Sequence, residues 1–263
     1  MSRLIDTHSH LFVEEFSSDL PEVMERAQKA GVDTFVLPGI NLLTLDDLLR
    51  VREAYPDRCY AAIGLHPTEI SEHYNDEMSQ LKSILDADQN GDRLFRAIGE
   101  IGLDLYWEQD TLDRQTRVFV RQLGWALEYD LPVLIHSRNA FAPLCEILDG
   151  FRSEPLRGIF HCFSDGREEA LRLMEYEGFM FGIGGVLTYR KSSLPEALKV
   201  IPRNRVVLET DCPYLAPVPN RGRRNEPSFM ADTAGKLAEI WECPLEEVAS
   251  QTTANACRLF GIQ

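Results

Sequence analysis

The sequence is short of positive charge. It has 27 Lys and Arg against 42 Asp and Glu in 263 residues, a formal net charge of −15. A surplus of that sign excludes a protein that coats nucleic acid by displacing counterions, and one that docks on an anionic membrane surface. It leaves room for an enzyme that meets phosphates at one local site. Long apolar runs are missing, so no membrane-spanning helix is expected. No apolar segment follows a basic end near the start, so no signal peptide is expected and the expected compartment is the cytoplasm. The six cysteines form no C-x-x-C pair. They are read as free thiols in a reducing compartment. No internal repeat, low-complexity tract or linker rich in Gly, Pro or Ser divides the chain, which is read as one domain over residues 1–263.

What is present is an alternation. Apolar runs rich in Val, Ile and Leu at residues 4–10, 32–38, 59–65, 94–103, 131–136, 156–163, 179–187 and 205–210 read as eight strands. Helical stretches at 21–30, 44–55, 76–85, 110–129, 141–148, 168–176 and 194–200 separate them, and helices at 228–241, 244–250 and 253–260 finish the chain. In the longest, Leu112, Phe119, Leu123 and Leu127 fall on one face. Strict alternation predicts an α/β protein, a single-domain (β/α)8 TIM barrel with C-terminal helices; an open doubly wound sheet is the competing arrangement.

Histidine is scarce as well. There are six, and all but His73 fall at or just past the C-terminal end of a predicted strand. In a barrel those ends gather on one face, where active sites form. The first strand ends Asp6-Thr7-His8-Ser9-His10. Alternation puts His8 and His10 on one face, with Asp6 one step deeper, placed to accept a hydrogen bond from a ligand histidine and fix its tautomer. In Gly99-Glu100-Ile101-Gly102-Leu103-Asp104 a glutamate interrupts an apolar run, which is costly unless it is paired or holds a metal. The two glycines there would let backbone or ligand approach closely. The fifth, sixth and eighth strand ends supply His136, His161 and Asp211. Four imidazoles and two carboxylates exceed the needs of one ion. Two divalent ions are therefore expected, with His8, His10 and Asp211 on one, His136 and His161 on the other, and Glu100 between them. This donor set suits Zn, Mn, Fe or Ni, and the carboxylates admit Mg. Cys162 and Cys212 alternate away from the ligands and are read as core thiols.

Substrate contacts are sought in the neighbouring loops. Residues 216–226 read as a loop after the eighth strand, in which Arg221, Arg223 and Arg224 are candidates to grip phosphate. Arg138 is another, directly after His136. His66, in Gly64-Leu65-His66-Pro67, either touches a substrate phosphate or caps a strand end. Tyr106, Trp107, Tyr189 and Tyr214 are placed to stack on bases or to pack under the loops. On these residues alone the metal pair also suits another ester, an amide or a lactone, including an aminoacyl-tRNA ester. A metal-binding barrel without turnover is a further reading.

The motifs D-x-H-x-H, G-x-H-P, G-E-I-G-L-D, H-S-R, H-C-F-S and E-T-D-x-P, running in this order from Asp6 to a tail ending Thr252-Thr253-Ala254-Asn255-Ala256, resemble those of the TatD-like metal-dependent deoxyribonucleases, a branch of the amidohydrolase-type barrels. The resemblance implies a divalent-metal-dependent hydrolase with 3′-to-5′ exonuclease activity. The expected substrate is then single-stranded DNA, and the expected reaction is phosphodiester cleavage by a hydroxide on two ions (Mg, Mn or Zn). It implies that Glu100 bridges the ions, where many relatives carry a carboxylated lysine. It also implies that Asp211 ligates one ion and takes the proton of the attacking water, so the catalytic roles fall on Glu100 and Asp211.

Overall fold

The computed structural model describes residues 3–107 and 110–262. Eight parallel strands form one sheet in chain order: β1 Leu4–Asp6, β2 Val32–Leu37, β3 Cys59–Ile63, β4 Phe95–Asp104, β5 Val133–Arg138, β6 Gly158–Phe160, β7 Phe179–Ile183 and β8 Val206–Leu208. The helices α1 Leu20–Lys29, α2 Leu45–Ala54, α3 Tyr74–Gln89, α4 Leu112–Tyr129, α5 Phe141–Asp149, α6 Arg167–Leu173 and α7 Leu194–Leu198 cross between them, followed by α8 Met230–Trp241 and α9 Leu245–Phe260. The (β/α)8 reading is correct, and the open-sheet alternative is not. Beyond the ends of β1 and β8 the sheet closes on itself. Thr7 N–H donates to Leu208 O at 3.1 Å, Asp211 N–H to His8 O at 2.9 Å, and His10 N–H to Cys212 O at 2.9 Å. No helix among the described residues is long and apolar enough to cross a membrane.

Strand alternation sorts the side chains into two layers. Ile5, Val36, Ala62, Ala97, Leu134, Ile159, Met180 and Val207, one from each strand, fill the barrel interior together with Ala256, Leu259 and Phe260 of α9 and with Ile262. Their strand neighbours, such as Leu4, Phe35, Ile98, Ile135, Phe160, Phe181 and Leu208, pack outward against the helices. Helix α9 thus stoppers one end of the barrel. Asn255 Nδ2 donates to Arg203 O and Val206 O at 2.9 and 2.7 Å, which pins the helix below the start of β8. The other end is left for polar groups.

Two expectations need correction. The tail was expected to hold two helices, at 244–250 and 253–260, yet α9 is continuous. Thr252 is buried, and its hydroxyl returns to Val248 O at 2.9 Å inside the helix instead of breaking it. Strands one, six, seven and eight were expected to run to residues 10, 163, 187 and 210, and they stop at Asp6, Phe160, Ile183 and Leu208. Left-handed backbone at Cys162 (φ 46°) and Asp211 (φ 56°) ends the extended run after β6 and β8 and turns the chain across the open end.

Candidate active site

Five of the six histidines meet at the open end of the barrel, around Glu100 and Asp211. Each arrives by a local device. In β5, Leu134 points inward, so His136 two residues later does too. His161 follows Ile159 in the same way beyond the end of β6. In β4, Ile98 and Ile101 both pack outward although they are three apart, because the pairing with β5 shifts register between them. That irregularity brings Glu100 to the interior face. Gly102, at φ 139°, lets β4 press on β5, since a Cβ there would lie 2.0 Å from His136 O. The glycine admits neighbouring backbone, one of the two uses expected for it.

Helix α4 fixes two strand ends with buried glutamines. Gln115 accepts from Asp104 N–H and donates to Asp104 O, both at 2.8 Å. Gln122 does the same for Leu65, at 2.7 and 3.2 Å, and so sets the backbone that carries His66. Past β8, Asn225 Nδ2 donates to Thr210 O and Tyr214 O at 2.8 and 2.6 Å and holds the loop that presents Asp211.

The two oxygens of Glu100 face different partners. Oε2 lies 3.1 Å from His8 Nε2 and 3.7 Å from His10 Nε2. Oε1 lies 2.8 Å from His136 Nδ1, 3.4 Å from His66 Nε2 and 3.7 Å from His161 Nε2. Asp211 Oδ1 is 3.4 Å from His10 Nε2 and 3.7 Å from His161 Nε2. The Nε2 atoms of His8 and His10 are 3.3 Å apart. Charge follows from this packing. Burial favours the neutral acid at Glu100, but the surrounding histidines hold its pKa well below the ordinary carboxylate range. Burial opposes charge on His136 and His161, yet the carboxylates around them hold their pKa values up at about 9 and about 10. His8, which is buried and stacked on His161 at 3.4 Å, is pushed down to about 4 and stays neutral.

The donor set fits divalent metal. Ligand atoms of His8, His10 and Asp211 lie within 4.8 Å of one another, and so do those of His8, Glu100 and His161 and those of His66, Glu100 and His136. Nitrogen crowds against nitrogen at His8 and His10, while their Nδ1 atoms are buried without a hydrogen bond among the described residues. A shared proton cannot satisfy so many converging lone pairs, whereas a cation can. A cavity of about 640 Å³ opens above these groups, with Trp107, Arg138 and Tyr214 in its wall.

Comparison with known proteins decides the lineage. Residues 5–261 match the TatD related DNase family. The chain belongs to that family. A metal-dependent hydrolase of Bacillus subtilis strain 168, YabD, whose function is uncharacterised, is 39% identical over 260 residues, covering 98% of this chain and 99% of that one. A protein of Erwinia tasmaniensis named 3′-5′ ssDNA/RNA exonuclease TatD is 32% identical over 265 residues, covering 98% and 100%. The crystal structure of YjjV, a TatD homologue of Escherichia coli K12, superposes with a TM-score of 0.92 at 32% identity, covering 100% and 99%. The chain is a metal-dependent hydrolase of the TatD family, built on a (β/α)8 barrel.

Several expected roles shift within this TatD-family site. Asp6 does not reach a histidine ring. Its carboxylate accepts from Thr210 N–H at 2.9 Å, Thr210 Oγ1 at 2.5 Å and His8 N–H at 3.3 Å, so it ties β1 to the end of β8 through backbone. Cys162 is not a core thiol. The left-handed turn cancels strand alternation, and Cys162 lines the cavity. Cys212 is buried, as expected, and all six thiols are free. His73 sits exposed at the start of α3.

Of the four arginines, Arg138 alone lines the cavity, its guanidinium 3.7 Å over the Tyr106 ring and 5.7 Å from that of Trp107. Arg224 is committed elsewhere. It pairs with both oxygens of Asp19 at 2.8 Å and covers Phe16, which makes it a strap between the last loop and the first. Arg221 lies over Tyr189 at 4.4 Å, and Arg223 is exposed. Asp104 and Glu209, to which the sequence alone assigns no role, stand beside His136 and His161 at 2.9 and 3.0 Å. A signal existed for Glu209, which is two residues past the inward Val207 and so shares its face.

Proposed function

We propose that this hydrolase is a 3′-to-5′ exonuclease that cleaves phosphodiesters of single-stranded DNA with two divalent ions, Mg, Mn or Zn. The observation that carries the two-ion reading is Glu100, whose opposite oxygens face His8 and His10 on one side and His136 and His161 on the other. His8, His10 and Asp211 would hold one ion, His136 and His161 the second, and Glu100 both. Bound there, the ions would supply positive charge to the phosphate oxygens and lower the pKa of an attacking water.

The chain's own residues do the rest. Asp211, kept ionised by the histidines around it, accepts the proton of the attacking water. His66 Nδ1 accepts the Thr68 N–H at 3.2 Å, so the neutral ring carries its proton on Nε2, which lies 3.4 Å from Glu100 Oε1 and would donate to a phosphate oxygen seated beside that carboxylate. Arg138 offers guanidinium N–H groups to the next phosphate, held in place by the ring stacked on its face. Trp107 and Tyr214, about 70% and 52% exposed at the mouth, give flat surfaces to unpaired bases, which duplex DNA does not present.

The test is a metal-titrated assay on 3′- and 5′-labelled single strands, beside duplex DNA, a generic phosphodiester and carboxylic esters. Stepwise shortening from the 3′ end is the expected result. Intact strands with hydrolysed esters would refute the reading. Within it, Arg138→Ala is expected to raise KM about tenfold, since a charge-assisted hydrogen bond contributes about 1.5–3 kcal/mol. The slope of log(kcat/KM) against log salt should fall by about 0.7, one phosphate contact on a single strand. Arg224→Ala should leave KM unchanged and lower stability by at most about 1 kcal/mol, as expected of a partly exposed ion pair.

A further inference from the structure

The histidines at the centre differ in what stands behind them. His136 presents Nδ1 to Glu100, and its Nε2 lies 2.9 Å from Asp104 Oδ2. His161 presents Nε2 to Glu100 and Asp211, and its Nδ1 lies 3.0 Å from Glu209 Oε1. That contact has ion-pair distance but is not aligned as a hydrogen bond. The Nδ1 atoms of His8 and His10 have no hydrogen bond among the described residues. The carboxylates therefore back one pair of histidines and not the other.

Both carboxylates are built into place. Asp104 is 3% exposed, with its backbone clamped by Gln115, and its Oδ1 accepts the Tyr106 N–H at 2.9 Å. Glu209 is fully buried and reaches His161 across the intervening β7. Gly182 makes that crossing feasible, because a Cβ there would stand 2.2 Å from Glu209 Oε2. Glu209 Oε1 also accepts the Cys162 N–H at 2.5 Å, which ties the carboxylate to the turn carrying His161. A carboxylate on the far nitrogen of an imidazole fixes the tautomer, orients the ring and makes the near nitrogen a better donor.

We propose that Asp104 and Glu209 are positioning residues that keep Nδ1 of His136 and Nε2 of His161 free for one ion, so that this ion, and not the one on His8 and His10, depends on them. The proposal rests on the two-ion reading above. It is tested first on the unaltered protein. In spectra of Zn-loaded protein with ¹⁵N-labelled histidine, His136 should carry its proton on Nε2 and His161 on Nδ1; the opposite tautomer at either ring overturns the proposal. The second arm titrates Mn²⁺, with the unbound ion followed by electron paramagnetic resonance. The parent protein should take up two ions. Asp104→Asn and Glu209→Gln should each weaken one of the two by about 10–100-fold. The other should hold within about threefold, with the melting temperature of the metal-free protein showing that the barrel is intact. Two ions bound as in the parent, or both weakened alike, overturns the proposal while the two-ion reading stands. No Mn²⁺ bound by the parent overturns that reading itself.

Discussion

Glu100→Ala is expected to cut kcat/KM on single-stranded DNA by at least about a thousand-fold, or about 4 kcal/mol at 1.36 kcal/mol per decade. Among the described residues Glu100 is the one carboxylate that reaches all five rings, His8 and His10 on one side and His66, His136 and His161 on the other, whereas Asp211 reaches His8, His10 and His161. Loss of the side chain removes a donor from both proposed ions at once and removes the anion that draws the histidines together. Glu100→Gln separates charge from shape. The amide fills the same space and can accept hydrogen bonds, but it is neutral and has one acceptor oxygen instead of two. It should therefore lose nearly as much activity as the alanine variant and should bind fewer than two ions in the Mn²⁺ titration. Retention of activity within tenfold by either protein, with melting unchanged, would remove Glu100 from the mechanism.

The barrel and the heart of the site are legible in the sequence for a shared reason. Near-continuous apolar runs belong to strands buried on both faces of a parallel sheet, so polar residues that break such a run toward its end, His136, His161, Glu100 and Asp211, must be at its mouth. What was misread depends on contacts far apart in sequence. Arg224 looks like a free cation until Asp19, from the opposite end of the chain, is placed beside it. Cys162 was assigned by an alternation that stops at Phe160, and the left-handed φ that stops it has no signature in His-Cys-Phe-Ser. Glu209 serves His161 only because β7 carries glycine at 182, a condition that involves three strands at once. The family motifs, by contrast, each sit within one strand end, which is why they can be read without the fold.

Asp211→Asn is expected to lower kcat by about 10²–10⁴-fold, the usual range for a lost general base, with KM within about threefold. The substitution is unusually clean. Asp211 adopts a left-handed φ of 56°, a conformation that Asn and Asp tolerate better than other side-chain-bearing residues. Its N–H bond to His8 O at 2.9 Å belongs to the backbone and survives the change. What is lost is an ionised oxygen 3.4 Å from His10 Nε2 and 3.7 Å from His161 Nε2, held charged by those rings although it is largely withdrawn from solvent. An amide in the same place takes no proton. A fall in kcat that persists at saturating Mn²⁺ therefore reports the proton transfer, whereas one that saturating Mn²⁺ restores reports only a weakened ion. Asp211→Ala supplies the complementary measurement. It should match the asparagine variant in residual turnover but be less stable by about 1–2 kcal/mol, because alanine pays the left-handed backbone cost without a local hydrogen bond to offset it. Equal stability of the two variants, read from urea melts, would mean that the loop relaxes out of the left-handed turn. Asp211 would then be held at the mouth by something other than its own backbone.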